Sequence, residues 1–171
     1  MIISVIGGDG APEEAMHAAE EVGRELAKRG CVLVCGGRGG VMEAACRGAR
    51  AAGGHTIGIL PTADRGGMNP YVEFPIVTGI GYARNTAVVL TGDAVIAIDG
   101  SYGTLSEIAH ALGYHKPVVL LTSWTFSRDG HEQPPVIQAN DPKDAVDKAI
   151  AAAEALLAEE STQMEIAAHG D

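Results

Sequence analysis

Glycines that end a buried strand and open a helix leave backbone N–H groups aimed at one spot, beside the positive end of the helix dipole. That arrangement binds anions. The chain has two such stretches: Val32-Leu33-Val34-Cys35-Gly36-Gly37-Arg38-Gly39-Gly40-Val41-Met42-Glu43 and Ala94-Val95-Ile96-Ala97-Ile98-Asp99-Gly100-Ser101-Tyr102-Gly103-Thr104-Leu105-Ser106-Glu107. Two turns of this kind in a small protein point to a ligand carrying phosphate. Neither is a P-loop, since the Gly-Lys-Ser/Thr ending is missing, and neither is a clean dinucleotide fingerprint.

Two further residues bear on the chemistry. Thr104 and Glu107 have the spacing of a capping box, in which each side chain satisfies an N–H at a helix start. The alternative puts the Thr104 hydroxyl on a phosphate and the Glu107 carboxylate on a sugar. The two readings differ over where Glu107 points. Arg84 follows Gly79-Ile80-Gly81 at a predicted strand end, on the same edge as the turns. It is either a solvated surface arginine or, if buried, the partner of a carboxylate or a ligand. The histidines show no HExxH spacing and the serines no G-x-S-x-G elbow. No metal site and no resident cofactor are expected.

The elements that must position these residues alternate. Predicted strands are Ile2–Gly8, Cys31–Cys35, His55–Leu60, Phe74–Thr78, Ala94–Ile98, Pro117–Thr122 and Val136–Ala139. Predicted helices are Pro12–Arg29, Gly40–Ala52, Tyr82–Leu90, Thr104–Leu112 and Asp141 to about Ala158. In the first helix Ala15, Ala19, Val22 and Leu26 recur at helical spacing, with Pro12 in its first turn and Gly30 just past its end. Asp141-Pro142-Lys143-Asp144 reads as N-cap, N1 proline and an acid at N3. Thr62–Glu73 is polar and turn-rich, as a functional loop or lid would be. Trp124–Pro135 is irregular, with a turn at Arg128-Asp129-Gly130. Continuous apolar strands alternating with helices imply an α/β fold: a single Rossmann-like domain over 1–158, with a mostly parallel sheet of six or seven strands and helices on both faces. A frayed tail over 159–171 is expected. In such sheets ligands bind beyond the carboxyl ends of the strands, where both glycine turns lie.

Bulk properties narrow the function. At 171 residues the chain buries about two-thirds of its unfolded surface as one domain. A net charge of −10 argues against DNA, RNA or anionic membrane as partners. Cys31, Cys35 and Cys46 form no CxxC pair and read as buried free thiols, which fits a reducing, cytoplasmic setting. No signal-peptide pattern and no bilayer-spanning apolar run is recognised.

Taken in order, Cys35-Gly36-Gly37-Arg38-Gly39-Gly40-Val41-Met42 resembles the GGG-x-x-G-[LV]-M turn of the Lonely Guy (LOG) family, also labelled "lysine decarboxylase-like". Asp99-Gly100-Ser101-Tyr102-Gly103-Thr104-Leu105-Ser106-Glu107 resembles its P-G-G-x-G-T-x-x-E motif. The resemblance runs from Ile2 to about Ala158 and is strongest to the branch containing molybdenum-cofactor carrier proteins, where Ala83-Arg84-Asn85 recurs. It implies hydrolysis of the N-glycosidic bond of a nucleoside 5′-monophosphate, with Arg84 and Glu107 as catalytic residues. It also implies a ligand site made of Gly36, Gly37, Gly39, Gly40, Met42, Asn85, Gly100, Ser101, Tyr102, Gly103 and Thr104. A homodimer or larger homo-oligomer is implied as well.

Two positions depart from the LOG pattern. Pro-Gly-Gly is Asp99-Gly100-Ser101 here, which brings a carboxylate near the phosphate, and Arg-Lys is Arg84-Asn85, as in the carrier branch. The expected function is therefore binding of a phosphorylated nucleotide-like ligand, with phosphoribohydrolysis as its chemistry. The alternative is a non-catalytic carrier or sensor of a nucleotide or molybdopterin cofactor. A pyridoxal-dependent decarboxylase is disfavoured, because neither glycine turn carries a lysine.

Overall fold

The computed structural model describes residues 1–127 and 129–168. Seven strands form one parallel sheet: β1 (Ile2–Gly7), β2 (Val32–Cys35), β3 (Thr56–Leu60), β4 (Phe74–Val77), β5 (Ala94–Ile98), β6 (Val118–Leu121) and β7 (Val136–Gln138). Their order across the sheet is β4-β3-β2-β1-β5-β6-β7, every neighbouring pair parallel. The helices are α1 (Glu13–Lys28), α2 (Gly40–Ala51), α3 (Asn85–Thr91), α4 (Tyr102–Gly113) and α5 (Pro142–Ala168), with a short 3-10 turn at Gly81–Arg84 leading into α3. The chain walks outward from β1 to β4 and then returns to lay β5 on the other side of β1. The reversal between β1 and β5 is the topological switch point, where the loops after the two strands part and leave a crevice.

The two faces of the sheet are covered unequally. Ile3 and Val5 of β1, Leu33 and Cys35 of β2 and Ile96 and Ile98 of β5 pack on α1, α2 and α5. The alternate residues Ile6, Val34, Val95 and Ala97 pack on α3 and α4. Strand alternation sends every second side chain to each face. On the second face, Ser4 is fully buried and its hydroxyl donates to the Val88 carbonyl at 2.7 Å, so the one polar residue among these apolar ones is satisfied. The short helices leave the edge strand β4 bare there, whereas Ile59 of β3 is buried. Phe74 and Ile76 pair in register with Ile57 and Ile59 and share their face, yet remain 52% and 47% exposed. Pro75 sits between them on the edge strand.

The expected elements are present, with four differences. The predicted Tyr82–Leu90 helix begins as the 3-10 turn Gly81–Arg84, and α3 proper starts at Asn85. The fourth helix starts at Tyr102, two residues before the predicted Thr104. The last helix continues past the predicted end near Ala158, reaching Ala168, so residues 159–168 extend it. The loop after β3 is pinned over its second half: the buried Asn69 donates from its side chain to the Arg38 carbonyl at 2.9 Å and from its backbone to the Gly37 carbonyl at 3.0 Å. Asp129-Gly130 form a turn as expected, whereas Arg128 lies outside the described residues, as do 169–171. Cys31, Cys35 and Cys46 are buried and free, as read from the sequence.

α1 and α2 cross with their backbones nearly touching. A Cβ at Gly23 would lie 2.0 Å from the Ala45 carbonyl oxygen, and one at Gly48 would lie 1.9 Å from that of Glu20. Neither obstacle is a flexible side chain, so the helices would have to separate. Gly23→Ala and Gly48→Ala are each expected to destabilise the fold by roughly 1–3 kcal/mol, the usual cost of overpacking, despite alanine's better helix propensity. Chemical denaturation of each variant checks this.

Candidate functional site at the sheet's switch point

The crevice between β1 and β5 is closed by the turns after β1, β2 and β5 and by the start of α3. Gly7, Gly8, Asp9, Arg38, Met42, Tyr82, Arg84, Asn85, Ser101, Gly103, Thr104 and Glu107 line a cavity of about 140 Å³ there. At its floor lies an ion pair: Arg84 donates from one guanidinium nitrogen to Glu107 Oε1 at 3.1 Å, each side chain being only 8% exposed. The 3-10 turn delivers Arg84 and α4 delivers Glu107. Gly36 lets them meet the end of β2, since a Cβ there would sit 2.5 Å from the guanidinium.

Asn85 ties the pair to the head of α4. Its side-chain oxygen accepts from Arg84 and its amide donates to Ser106 Oγ at 3.0 Å, while Ser106 donates to the Gly103 carbonyl at 2.7 Å. Among the described residues Arg84 Nε is buried with no partner. A guanidinium N–H is rarely left so without reason, because burying an unpaired donor costs about 1–3 kcal/mol or more.

Glu107 is not a capping residue. α4 begins at Tyr102 after Ser101, which places Thr104 inside the first turn and Glu107 a turn deeper, turned inward to Arg84. The Ser101 side chain makes no cap hydrogen bond. The first intrahelical bond runs from Leu105 N–H to the Ser101 carbonyl at 3.0 Å, so the N–H groups ahead of it have no carbonyl four residues back within α4. Ser101, Gly103 and the 2%-exposed Thr104 of this turn line the cavity. Burial pushes the Glu107 carboxyl up to about 7 against the opposing pull of Arg84.

The first glycine turn differs. The α2 N-terminus is met by the chain's own β1 loop: Val41 N–H donates to the Gly8 carbonyl at 3.0 Å. Gly40, at φ +58, brings the two so close that a Cβ there would lie 2.2 Å from that oxygen. Of the residues expected at the site, the fold brings Arg84, Glu107, Asn85, Met42, Ser101, Gly103 and Thr104 to the cavity. Gly36, Gly37, Gly39 and Gly40 form the turn behind it, and Gly100 (φ +117) packs under Thr104. Tyr102 points away and is 82% exposed, its ring 6.2 Å from that of Trp124. Gly7, Gly8, Asp9, Arg38 and Tyr82 also line the cavity and were not among the expected residues. Gly7-Gly8 after a buried strand is the same signal as the other two turns. Nothing local marks Asp9, whose place depends on the approach of β2's turn.

No group of three or more His, Cys, Asp or Glu able to hold a metal converges among the described residues. No described helix is long and apolar enough to cross a membrane.

Comparison with known proteins adds the family. A cytokinin riboside 5′-monophosphate phosphoribohydrolase of Mycobacterium tuberculosis is 36% identical over 125 residues, 65% of this chain and 64% of its own length. The chain thus spans less than two thirds of that relative, and only half of a plant relative described as a probable enzyme of the same kind. The molybdenum cofactor binding protein of Rippkaea orientalis superposes with a TM-score of 0.79 at 40% identity, covering 85% of this chain and 93% of its own. The molybdenum cofactor carrier protein of Chlamydomonas reinhardtii superposes with a TM-score of 0.75 at 37% identity, covering 92% and 98%. The model of the SLOG cluster4 family matches residues 1–146, which include all seven strands, and the chain belongs to that family.

Proposed function

We propose that the cleft binds a phosphorylated, nucleotide-like ligand, with the phosphate on the first turn of α4 and the sugar over the Arg84–Glu107 pair. The observation that carries this reading is the buried guanidinium whose Nε faces no partner beside the open end of a helix. A phosphate there receives backbone N–H groups, the Ser101 and Thr104 hydroxyls and the remaining arginine donor. At about 140 Å³ the cavity is below the roughly 300 Å³ of a whole small-molecule site, so it suits phosphate and sugar, with the base at the mouth beside Tyr82.

The chemistry that fits is phosphoribohydrolysis. Breaking the bond from C1′ to the base leaves its electrons on the base and positive charge on the ribose ring. The ionised Glu107 carboxylate stabilises that charge and orients the water whose oxygen bonds to C1′; the departing base takes up a proton. Arg84 holds the carboxylate in place and steadies the phosphate. Likeness to M. tuberculosis phosphoribohydrolase supports this reading. A second reading, a carrier that holds its ligand unchanged, is favoured by the larger shared length with the two molybdenum cofactor proteins.

Release of free base from a panel of nucleoside 5′-monophosphates separates the two. Hydrolysis predicts turnover that Glu107→Gln lowers by about a hundredfold or more, with nucleotide affinity changed only a few-fold. Binding without base release in the wild type favours the carrier, and undiminished turnover in Glu107→Gln rules out the catalytic role.

The Glu107 carboxyl also predicts a pH dependence. Its folded pKa of about 7 lies above the ordinary 4.5, so the folded state holds the proton more readily than the unfolded chain. The stabilisation is complete below about 4.5 and is lost as pH rises through 7. From pH 5 to pH 8, wild type should lose on the order of 1–3 kcal/mol relative to Glu107→Gln, read from denaturant midpoints.

A homodimer is the assembly that suits the bare face of β4. Parallel sheets are covered on both faces, and here Phe74 and Ile76 of β4, with Ile80 and the cleft residue Tyr82 after it, remain exposed. Light scattering should give a dimer or larger for the wild type and a smaller species for Ile76→Asp. A monomeric wild type at micromolar concentration overturns the assignment.

A further inference from the structure

Two helices point their N-termini at the cleft, and they are not equally open to a ligand. α4 presents its first turn to the cavity. α2 does not. Its Val41 N–H is taken by the Gly8 carbonyl, and the Asp9 carboxylate lies against its start: a Cβ at Gly39 would be 2.5 Å from Asp9 Oδ1. The other carboxylate oxygen accepts from Arg38 Nε at 3.3 Å. Asp9 therefore stands at a helix N-terminus, bound to an arginine, where a ligand anion would otherwise stand.

We propose that Asp9 is a specificity-determining residue: its carboxylate fills the anion position shared by Arg38 and the α2 N-terminus, so the cleft takes ligands with a single phosphate and rejects those with a second, adjacent one. This rests on the phosphate-binding reading above. The charges around the cleft support it. Arg84 is paired with Glu107 and Arg38 with Asp9, while an Asp99 carboxylate oxygen also comes within 3.7 Å of a Cβ placed on Gly8. One phosphate is met by α4 and by Arg84 Nε. A second phosphoryl group finds Arg38 already held, and displacing Asp9 leaves that carboxylate beside the incoming charge. Since the Asp9 and Arg38 side chains are 52% and 40% exposed, the discrimination is screened by salt.

Inorganic phosphate and pyrophosphate test this without reference to any base. Calorimetric titrations at low ionic strength would compare wild type, Asp9→Asn and, as a control for net charge, Glu13→Gln, an exposed acid at the head of α1. Asp9→Ser serves if Asp9→Asn fails to fold. Wild type should bind pyrophosphate no more tightly than phosphate. Asp9→Asn should tighten pyrophosphate by about tenfold or more and phosphate by less than about threefold, from removing one like charge at close range. Glu13→Gln should leave both unchanged. An unaltered ratio in Asp9→Asn, or a wild type that already prefers pyrophosphate, overturns the proposal. Should wild type bind neither anion while Asp9→Asn binds pyrophosphate, the role of Asp9 stands and phosphate binding at α4 falls. Should neither protein bind either anion, both fall.

Discussion

A guanidinium and a carboxylate buried together constrain everything around them. Each would be intolerable there alone, and even paired they need their remaining donors and acceptors met. The chain meets part of that need with Asn85 and Ser106, which lock Arg84 to the head of α4, and with Gly36, whose missing side chain makes room for the guanidinium; among the described residues Arg84 Nε stays without a partner. A buried pair of this kind is weak evidence for stability, since apolar residues of similar size often do as well. Its cost is easier to understand as the cost of a prepared site: a positive group and a near-neutral acid fixed beside an open helix end.

The fold explains why that spot and no other. The chain leaves β1 in one direction and comes back on its other side, so the loops after β1 and β5 separate at the carboxyl edge. α4 starts in that gap. α2 starts beside it, drawn against the β1 loop by the contact at Gly40, and its end is used internally. Two turns that look alike in sequence thus do different work: one opens to the cavity and the other is braced against the β1 loop. Asn69 completes the bracing by holding both carbonyls that follow the β2 strand, at Gly37 and Arg38.

Much of this was legible in the residues. Continuous apolar strands alternating with amphipathic helices marked the parallel sheet, and the position of Arg84 after a strand end marked it for the same edge as the turns. What local pattern left open was decided by distant partners. Thr-x-x-Glu over Thr104–Glu107 fits a cap as well as a site, and only the arrival of Arg84 from 23 residues away turns Glu107 inward. Ser101, three positions upstream of Thr104, occupies the position before the helix start instead, without a side-chain cap bond. Asp9 carries no local signature, because its role exists only once the β2 turn is folded against it. The length of α5 was underestimated for a different reason. Ending it near Ala158 followed the general habit of chain ends to fray; here Ser161 and Thr162 donate to the carbonyls of Leu157 and Ala158 at 2.8 and 2.9 Å, within the helix.

Pro75 gives the bare corner of the sheet a definite polarity. It lies in β4, the outermost strand, and has no N–H to lend to a strand arriving from outside. The open rim of a parallel sheet is ordinarily a template on which further chains can line up, and proline on that rim is a known deterrent to such open-ended growth. The exposed ring of Phe74 and the branched side chain of Ile76 lie on the flat of the sheet instead. Apolar surface in β4 is thus offered on the face of the sheet, while Pro75 discourages a further strand at its rim.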